Sequence, residues 1–207
     1  MKILIAPDKF KDSLSAIEVC NALTSGLKKN NSSTNIFSCP MADGGDGSLK
    51  ILNHYLDLKP QELKVNDPLF NSIKSTYYIS QNTAYIEMSL ASGLNLLHQK
   101  DRNCMYTSSF GTGELVNDAI KKGATTINLY VGGSATNDCG IGIASALGFK
   151  FYDSSDNLLS NSVRPAVLIF LIFSFLFFMI HSIFSHLHSM IDHVLTPNII
   201  NCGVIRS

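Results

Sequence analysis

Apolar residues along the first 160 positions fall into short runs that switch between alternation and helical spacing, and the switches sit at clusters of Gly, Asp and Ser. Residues 2–6 read as a buried strand that stops at Pro7-Asp8. Ser15-x-x-Glu18 is a capping box, in which each side chain satisfies the other residue's backbone N–H at a helix start. Ala16, Val19, Cys20, Leu23 and Leu27 then recur at helical spacing as far as the polar run 28–33. The cycle repeats with a short strand at 36–39 and a helix marked by Leu49, Ile51, Leu52, Tyr55 and Leu56. From Leu63 the texture changes. Val65 ends a strand, Asn66-Asp67-Pro68 is a turn, Ile73, Tyr77 and Ile79 alternate, and 84–88 reads as a return strand, which predicts an antiparallel hairpin. Alternation sets Glu87 on the opposite face from Ile86 and Met88, predicting a solvent-facing carboxylate. A helix with Leu115, Val116, Ala119 and Ile120 inside follows, with Gly123 as its C′ residue. Ile127, Leu129 and Val131 make a strand, an apolar-periodic helix runs to Gly148, and 149–152 is predicted as one more strand.

Strands alternating with helices predict an α/β protein with a largely parallel sheet, whose ligands bind in the crevice beyond the carboxyl ends of the strands. Three polar loops leave such ends: 8–13 with Asp8 and Lys11, 41–47 with Asp43, Gly44, Gly45, Asp46 and Gly47, and 132–138 with Gly132, Gly133, Ser134, Thr136, Asn137 and Asp138. A further Gly-rich loop at 107–114, with Gly111, Thr112, Gly113 and Glu114, feeds the helix after it. A loop between a strand and a helix start offers backbone N–H groups and a positive dipole end to an anion. The competing reading of each is a turn that needs glycine only for its backbone angles. Aspartates in such a loop either cap the helix or hold a hydrated Mg²⁺. Acids, lysines and N–H groups gathered in one crevice suit an anionic ligand with Mg²⁺, the arrangement phosphoryl transfer requires. No G-x-x-x-x-G-K-[ST] occurs, and Gly140-x-Gly142-x-x-Ser145 lacks the last glycine of the dinucleotide fingerprint.

Sixteen basic residues balance sixteen acidic ones without a Lys/Arg block, which argues against nucleic acid as a partner. The five cysteines are scattered and form no C-x-x-C pair, a pattern of reduced thiols in a cytosolic chain. The apolar run 3–6 is too short for a secretory signal.

Five stretches, KILIAPDKFKDSLSA at 2–16, PMADGGDGS at 40–48, IEMSLASGL at 86–94, TSSFGTGEL at 107–115 and VGGSATNDCGIGIASALGFKF at 131–151, closely resemble the bacterial-type glycerate kinases. The resemblance implies ATP-dependent phosphorylation of D-glycerate with Mg²⁺, in the cytoplasm. The implied fold is a Rossmann-like parallel-sheet domain, begun here by residues 1–62, with a second, inserted α/β domain at 63–160, both incomplete. It points at Asp8, Lys11, Asp43, Gly44, Gly45, Asp46, Gly47, Gly111, Thr112, Gly113, Glu114 and the stretch from Gly132 to Asp138. On that basis Lys11 would neutralise phosphate or the glycerate carboxylate. Asp43 and Asp138 would serve Mg²⁺ or act as general base, and the Gly-rich loops would hold phosphate oxygens. Two residues depart from the pattern, Lys9 where the family usually has Ser and Asp46 for the commoner Glu. The larger departure is length, since the family's carboxyl-terminal part completes the first domain around the insert.

Beyond Ser160 the composition breaks. Residues 166–180, AVLIFLIFSFLFFMI, are apolar apart from Ser174, and nothing in 161–207 resembles the family. Three readings are open: a membrane span over 166–184, a buried core helix, or sequence appended by a frameshift, intron read-through or alternative exon. His181, His186, His188 and His193 suggest metal ligands, but 186 and 188 do not face each other on a helix.

Overall fold

The computed structural model describes residues 1–30, 33–152 and 158. They belong to a compact unit spanning Met1–Pro165. The tail readings for 161–207, including the candidate span at 166–184, lie outside the described residues. Among those described, no helix is long and apolar enough to cross a membrane.

Two sheets are present among the described residues. Strand β1 (Lys2–Ile5) pairs in parallel with β2 (Asn35–Ser38), Leu4 opposite Phe37. Helix α1 (Ala16–Asn30) makes the connection and packs on both strands; Ala16, Val19, Cys20 and Ile5 are buried, and Cys20 Sγ donates to Ile5 O at 3.8 Å. Its start is the capping box the sequence announces: Glu18 Oε2 accepts from Ser15 N at 2.7 Å and Ser15 Oγ at 2.6 Å. Because α1 covers one face only, the other is bare, with Leu4 69% and Phe37 58% exposed. The expectation of a buried strand at 2–6 is therefore corrected. Of its apolar residues only Ile5 is buried, because the described residues supply no layer for the opposite face.

The second sheet has the order β3-β4-β5-β6. Strands β3 (Lys59–Asn66), β4 (Ser72–Ser80) and β5 (Thr83–Glu87) form an antiparallel meander, and β6 (Thr126–Tyr130) lies parallel to β5. A parallel neighbour needs a crossover. It runs through the single turn α3 (Ser89–Ser92) and helix α4 (Phe110–Lys121). The core lies between α4 and this sheet and contains Val65, Tyr77, Ala84, Ile86, Ala91, Leu115, Val116 and Ala119. Helix α2 (Ser48–Tyr55) follows β2, and α5 (Ile141–Ala146) follows β6.

The architecture is α/β with parallel pairing in both sheets, and the larger sheet is mixed because it contains the antiparallel hairpin expected from residue 63 onward. The second sheet begins at Lys59, inside the segment 1–62. Residues 149–152 do not form the expected strand. Phe149 N–H returns to Ala144 O at 3.0 Å, which ends α5, and only Tyr152 forms a bridge, to Leu158. Helix α4 starts at Phe110, so Gly111, Thr112, Gly113 and Glu114 occupy its first turns rather than a loop.

Candidate functional site

Strands β5 and β6 end side by side, Glu87 opposite Tyr130, and Met88 N–H donates to Tyr130 O at 2.9 Å. The chain leaving β6 turns at Gly132 and Gly133 and meets the loop that leaves β2. Gly132 N–H donates to Gly44 O at 3.1 Å, and a Cβ on Gly132 would stand 2.5 Å from Gly45 Cα, so only glycine permits this approach. Within the 43–47 loop Asp43 Oδ1 accepts from Gly45 N at 2.8 Å, while the carboxylate stays 65% exposed. Asp46 Oδ2 accepts from Asn95 Nδ2 at 2.7 Å. Its Oδ1 is buried without a hydrogen-bond partner among the described residues.

Lys9 supplies the positive charge of this corner. Its Nζ donates to Asp46 O at 2.7 Å and lies 3.9 Å from Asp43 Oδ1. Asp8 and Lys11 are exposed on the same loop, and Asp8 Oδ1 accepts from Lys9 N at 2.6 Å. Two lysines two residues apart in a loop carry no periodicity that tells which one turns inward, so Lys9 could not be singled out from spacing. Tyr130 lines the corner beside Gly44. Burial, and then Tyr85, push its hydroxyl pKa up, so it stays neutral at physiological pH.

Glu87, expected to face solvent, is 2% exposed. Its Oε1 accepts from Gly47 N at 2.8 Å and Ser89 Oγ at 2.7 Å, and its Oε2 from Leu49 N at 3.1 Å. Alternation did set it apart from Ile86 and Met88, but the face it reaches is occupied by the start of α2. The available signal was its place at the last position of a buried strand, where helix starts gather.

The remaining candidate residues have their own partners. Asp138 is 3% exposed and ties the start of α5 to the start of α4. Its Oδ2 accepts from Ser109 N at 2.8 Å, Ser109 Oγ at 2.9 Å, Gly142 N at 3.2 Å and Ser108 Oγ at 3.3 Å, and its Oδ1 from Gly140 N at 3.2 Å. Gly111 and Gly113 are buried where α4 meets Asn66 and α5 respectively. Thr112 Oγ1 donates to Ser92 Oγ at 2.8 Å, and Glu114 Oε2 accepts from Asn66 N at 2.7 Å. Ser134 bridges to Gly93, Thr136 is half-buried, and Asn137 is exposed. The structure thus brings 43–47 together with Gly132, Gly133 and Lys9. It packs 111–114 into α4 and places Asp138 between two helix starts. No group of three or more His, Cys, Asp or Glu side chains suited to a metal occurs among the described residues.

The sequence profile of the Glycerate kinase family matches residues 3–167. The chain belongs to the glycerate kinase family. It is 44% identical over 158 residues to the glycerate kinase of Haemophilus influenzae, covering 75% of this chain and 42% of that one. Against the glycerate 2-kinase of Escherichia coli the identity is 42% over 159 residues, covering 76% and 42%. A crystal structure of glycerate kinase 2 from Salmonella typhimurium LT2 superposes with a TM-score of 0.65 at 36% identity, covering 81% of this chain and 46% of that one. This glycerate kinase family chain therefore spans less than half the length of the relatives it matches.

Proposed function

We propose that the chain carries the substrate corner of a kinase that transfers the γ-phosphoryl group of ATP to a hydroxyl of D-glycerate. The observation that supports it best is the meeting of the 43–47 and 132–134 loops, beneath Lys9, at strand ends in a glycerate kinase family chain. In this reading the glycerate hydroxyl oxygen bonds to the γ-phosphorus as the bond to the ADP oxygen breaks. The hydroxyl proton passes to an exposed carboxylate, Asp43 or Asp8. Lys11 and Lys9 offer positive charge to the glycerate carboxylate or to phosphate. The backbone N–H groups of Gly133, Ser134, Thr136 and Asn137 face the developing charge on the phosphoryl oxygens, those of Gly132 and Ala135 being already bonded to Gly44 O and Ser92 O.

Mg²⁺ fits Asp43, whose exposed carboxylate gives only one oxygen to Gly45 and keeps the other for an ion that takes few protein ligands. Bound there, the ion would supply positive charge that offsets the charge of the phosphate groups. Asp138 fits less well, because both its oxygens already accept hydrogen bonds, and we assign it to positioning α4 and α5. The two sheets would be the beginnings of the Rossmann-like domain and of its insert, and the family implies a cytoplasmic enzyme.

A second reading, a catalytically inactive fragment, is favoured by the bare face of β1 and β2, which leaves the first sheet uncovered on one side. Release of ADP dependent on D-glycerate separates the two. Turnover near or above roughly 1 s⁻¹ supports the kinase, and none supports the fragment. In an active chain Asp43→Asn weakens Mg²⁺-dependent ATP binding measured by calorimetry, and unchanged affinity removes Asp43 from the metal site.

A further inference from the structure

We infer that Glu87 is a positioning residue, whose carboxylate at the end of β5 holds the 43–47 loop against the Gly132-Gly133 turn and thereby assembles the ligand corner. The inference rests on the proposed function for what the corner binds, but the tether itself is argued from geometry. A carboxylate taken out of water persists only where donors replace its hydration. Glu87 has three, Gly47 N, Leu49 N and Ser89 Oγ, at 2.7 to 3.1 Å. Two of them are N–H groups at the start of α2, that of its N-cap Gly47 and that of Leu49 in its first turn. That helix has no side-chain cap of its own, Gly47 standing at its N-cap, and no acidic residue in its first turn. Its capping is supplied instead by a residue 38 to 40 positions away, on the other sheet.

The same residue is in backbone register with Tyr130, two positions before Gly132. Glu87 thus grips the start of α2 with its side chain and the end of β6 with its main chain. Loop 43–46 lies between these two anchors, and the Gly132 N–H to Gly44 O bond closes it onto the strand ends. A local helix cap would influence residues 47–49 alone. A positioning residue must also influence Gly132, which its side chain does not touch.

Amide hydrogen exchange on the full 207-residue chain, read by mass spectrometry, separates these roles. In Glu87→Gln an amide NH₂ faces one of the backbone donors. Exchange is expected to rise about tenfold or more in both 43–49 and 131–134, while 59–80 and 110–121 keep their protection. Ser89→Ala, which removes one donor and leaves the carboxylate, is expected to move the same two segments by a smaller factor. Opening of 47–49 with Gly132 unchanged overturns the inference. So does loss of protection throughout Glu87→Gln accompanied by native exchange at Gly132 in Ser89→Ala, which would make Glu87 a general core group. Adding Mg²⁺, ATP and D-glycerate to the unaltered chain gives the independent arm. Slower exchange in 43–49 and 131–137 supports the corner as the ligand site. No slowing removes the proposed function, while the exchange comparison still decides the tether.

Discussion

Replacing Asp138 by asparagine distinguishes a metal ligand from a structural carboxylate. The amide oxygen can take the place of Oδ2 and still accept from Ser109 N and Gly142 N, but without the carboxylate's charge. Hydrogen bonds to charged groups contribute about 1.5–3 kcal/mol against about 0.5–1.5 for neutral ones, so the two shortest bonds together lose about 2 kcal/mol. The amide nitrogen then meets Gly140 N–H, donor against donor, where the native separation is 3.2 Å. Gly140 is half-buried and water reaches it, which limits that penalty to about 1 kcal/mol. The expected total is about 2–4 kcal/mol, which lowers Tm by roughly 5–15 °C for a unit of this size. Asp138→Ala leaves the N–H groups of Ser109, Gly140 and Gly142 without their acceptor and costs about 3–5 kcal/mol. Urea unfolding followed by far-ultraviolet circular dichroism reads both, as a shift in midpoint at constant slope. If Asp138→Asn stays within about 0.5 kcal/mol of the parent yet loses Mg²⁺-dependent nucleotide binding, the bonding network is not what holds α4 to α5, and Asp138 is a metal ligand.

Gly111→Ala places a methyl group on the Asn66 carbonyl, with the Asn66 carbonyl carbon 3.0 Å away. It should destabilise by about 1–3 kcal/mol in the same unfolding assay despite alanine's better helix propensity, and a stabilised variant would show that α4 can shift. Acidification should loosen α1 and the end of α4. Glu18 is held below its ordinary pKa by the Ser15 hydroxyl and then the Ser15 N–H. Burial works against Asp118, but bonds from Lys122 and Tyr77 outweigh it and also hold its pKa down. A depressed folded pKa contributes stability above the unfolded value that is lost as pH falls through the folded one, so amide protection near Ser15 and Lys122, taken relative to the intrinsic exchange rate at each pH, should fall below the ordinary carboxylate range. Unchanged protection at low pH would remove both bonds as contributors. Leu4→Lys and Phe37→Thr should each change stability by less than about 0.5 kcal/mol and reduce self-association in analytical ultracentrifugation, whereas a loss above about 2 kcal/mol would mean that face is covered.

Local rules made much of the fold legible. The Ser15-x-x-Glu18 box needs only two side chains and one turn of backbone, and it formed as read. The meander was also readable, because its alternation and its turn at Asn66-Asp67-Pro68 are sequence-local. What failed depends on distant partners. Glu87 alternates correctly, yet alternation cannot say whether the far side of a strand meets water or the start of a helix 38 residues earlier. Residues 111–114 look like a phosphate loop because the glycines are close together. Their actual reason is that α4 passes within contact of the Asn66 carbonyl and of α5, neither of which the spacing encodes. The candidate site was legible as a pair of loops at strand ends, 43–47 and 132–138. Which lysine enters it was not.

The two sheets do not contribute equally to the corner. A pair of strands alone is marginal in water, and β1 and β2 have α1 on one face and Leu4 and Phe37 open to solvent on the other. The second sheet holds a closed core in which Tyr77, Ile86 and Leu115 are fully buried. The loop that leaves the weaker sheet is fixed chiefly by bonds to the stronger one: Gly47 and Leu49 to Glu87, Gly44 to Gly132, Asp46 to Asn95. The corner's geometry therefore follows the ends of β5 and β6, and disturbance of the bare face reaches it through β2 and residues 39–42 and through Lys9, which follows β1. Local opening takes the path of fewest buried contacts, so β1 and β2 should open before the corner does. A ligand that bridges 43–47 and 132–134 would add its binding energy to the interface that Glu87 already maintains. Extra chain length over the Leu4 and Phe37 face would instead raise the stability of the first sheet, leaving the spacing between the two loops where the second sheet sets it.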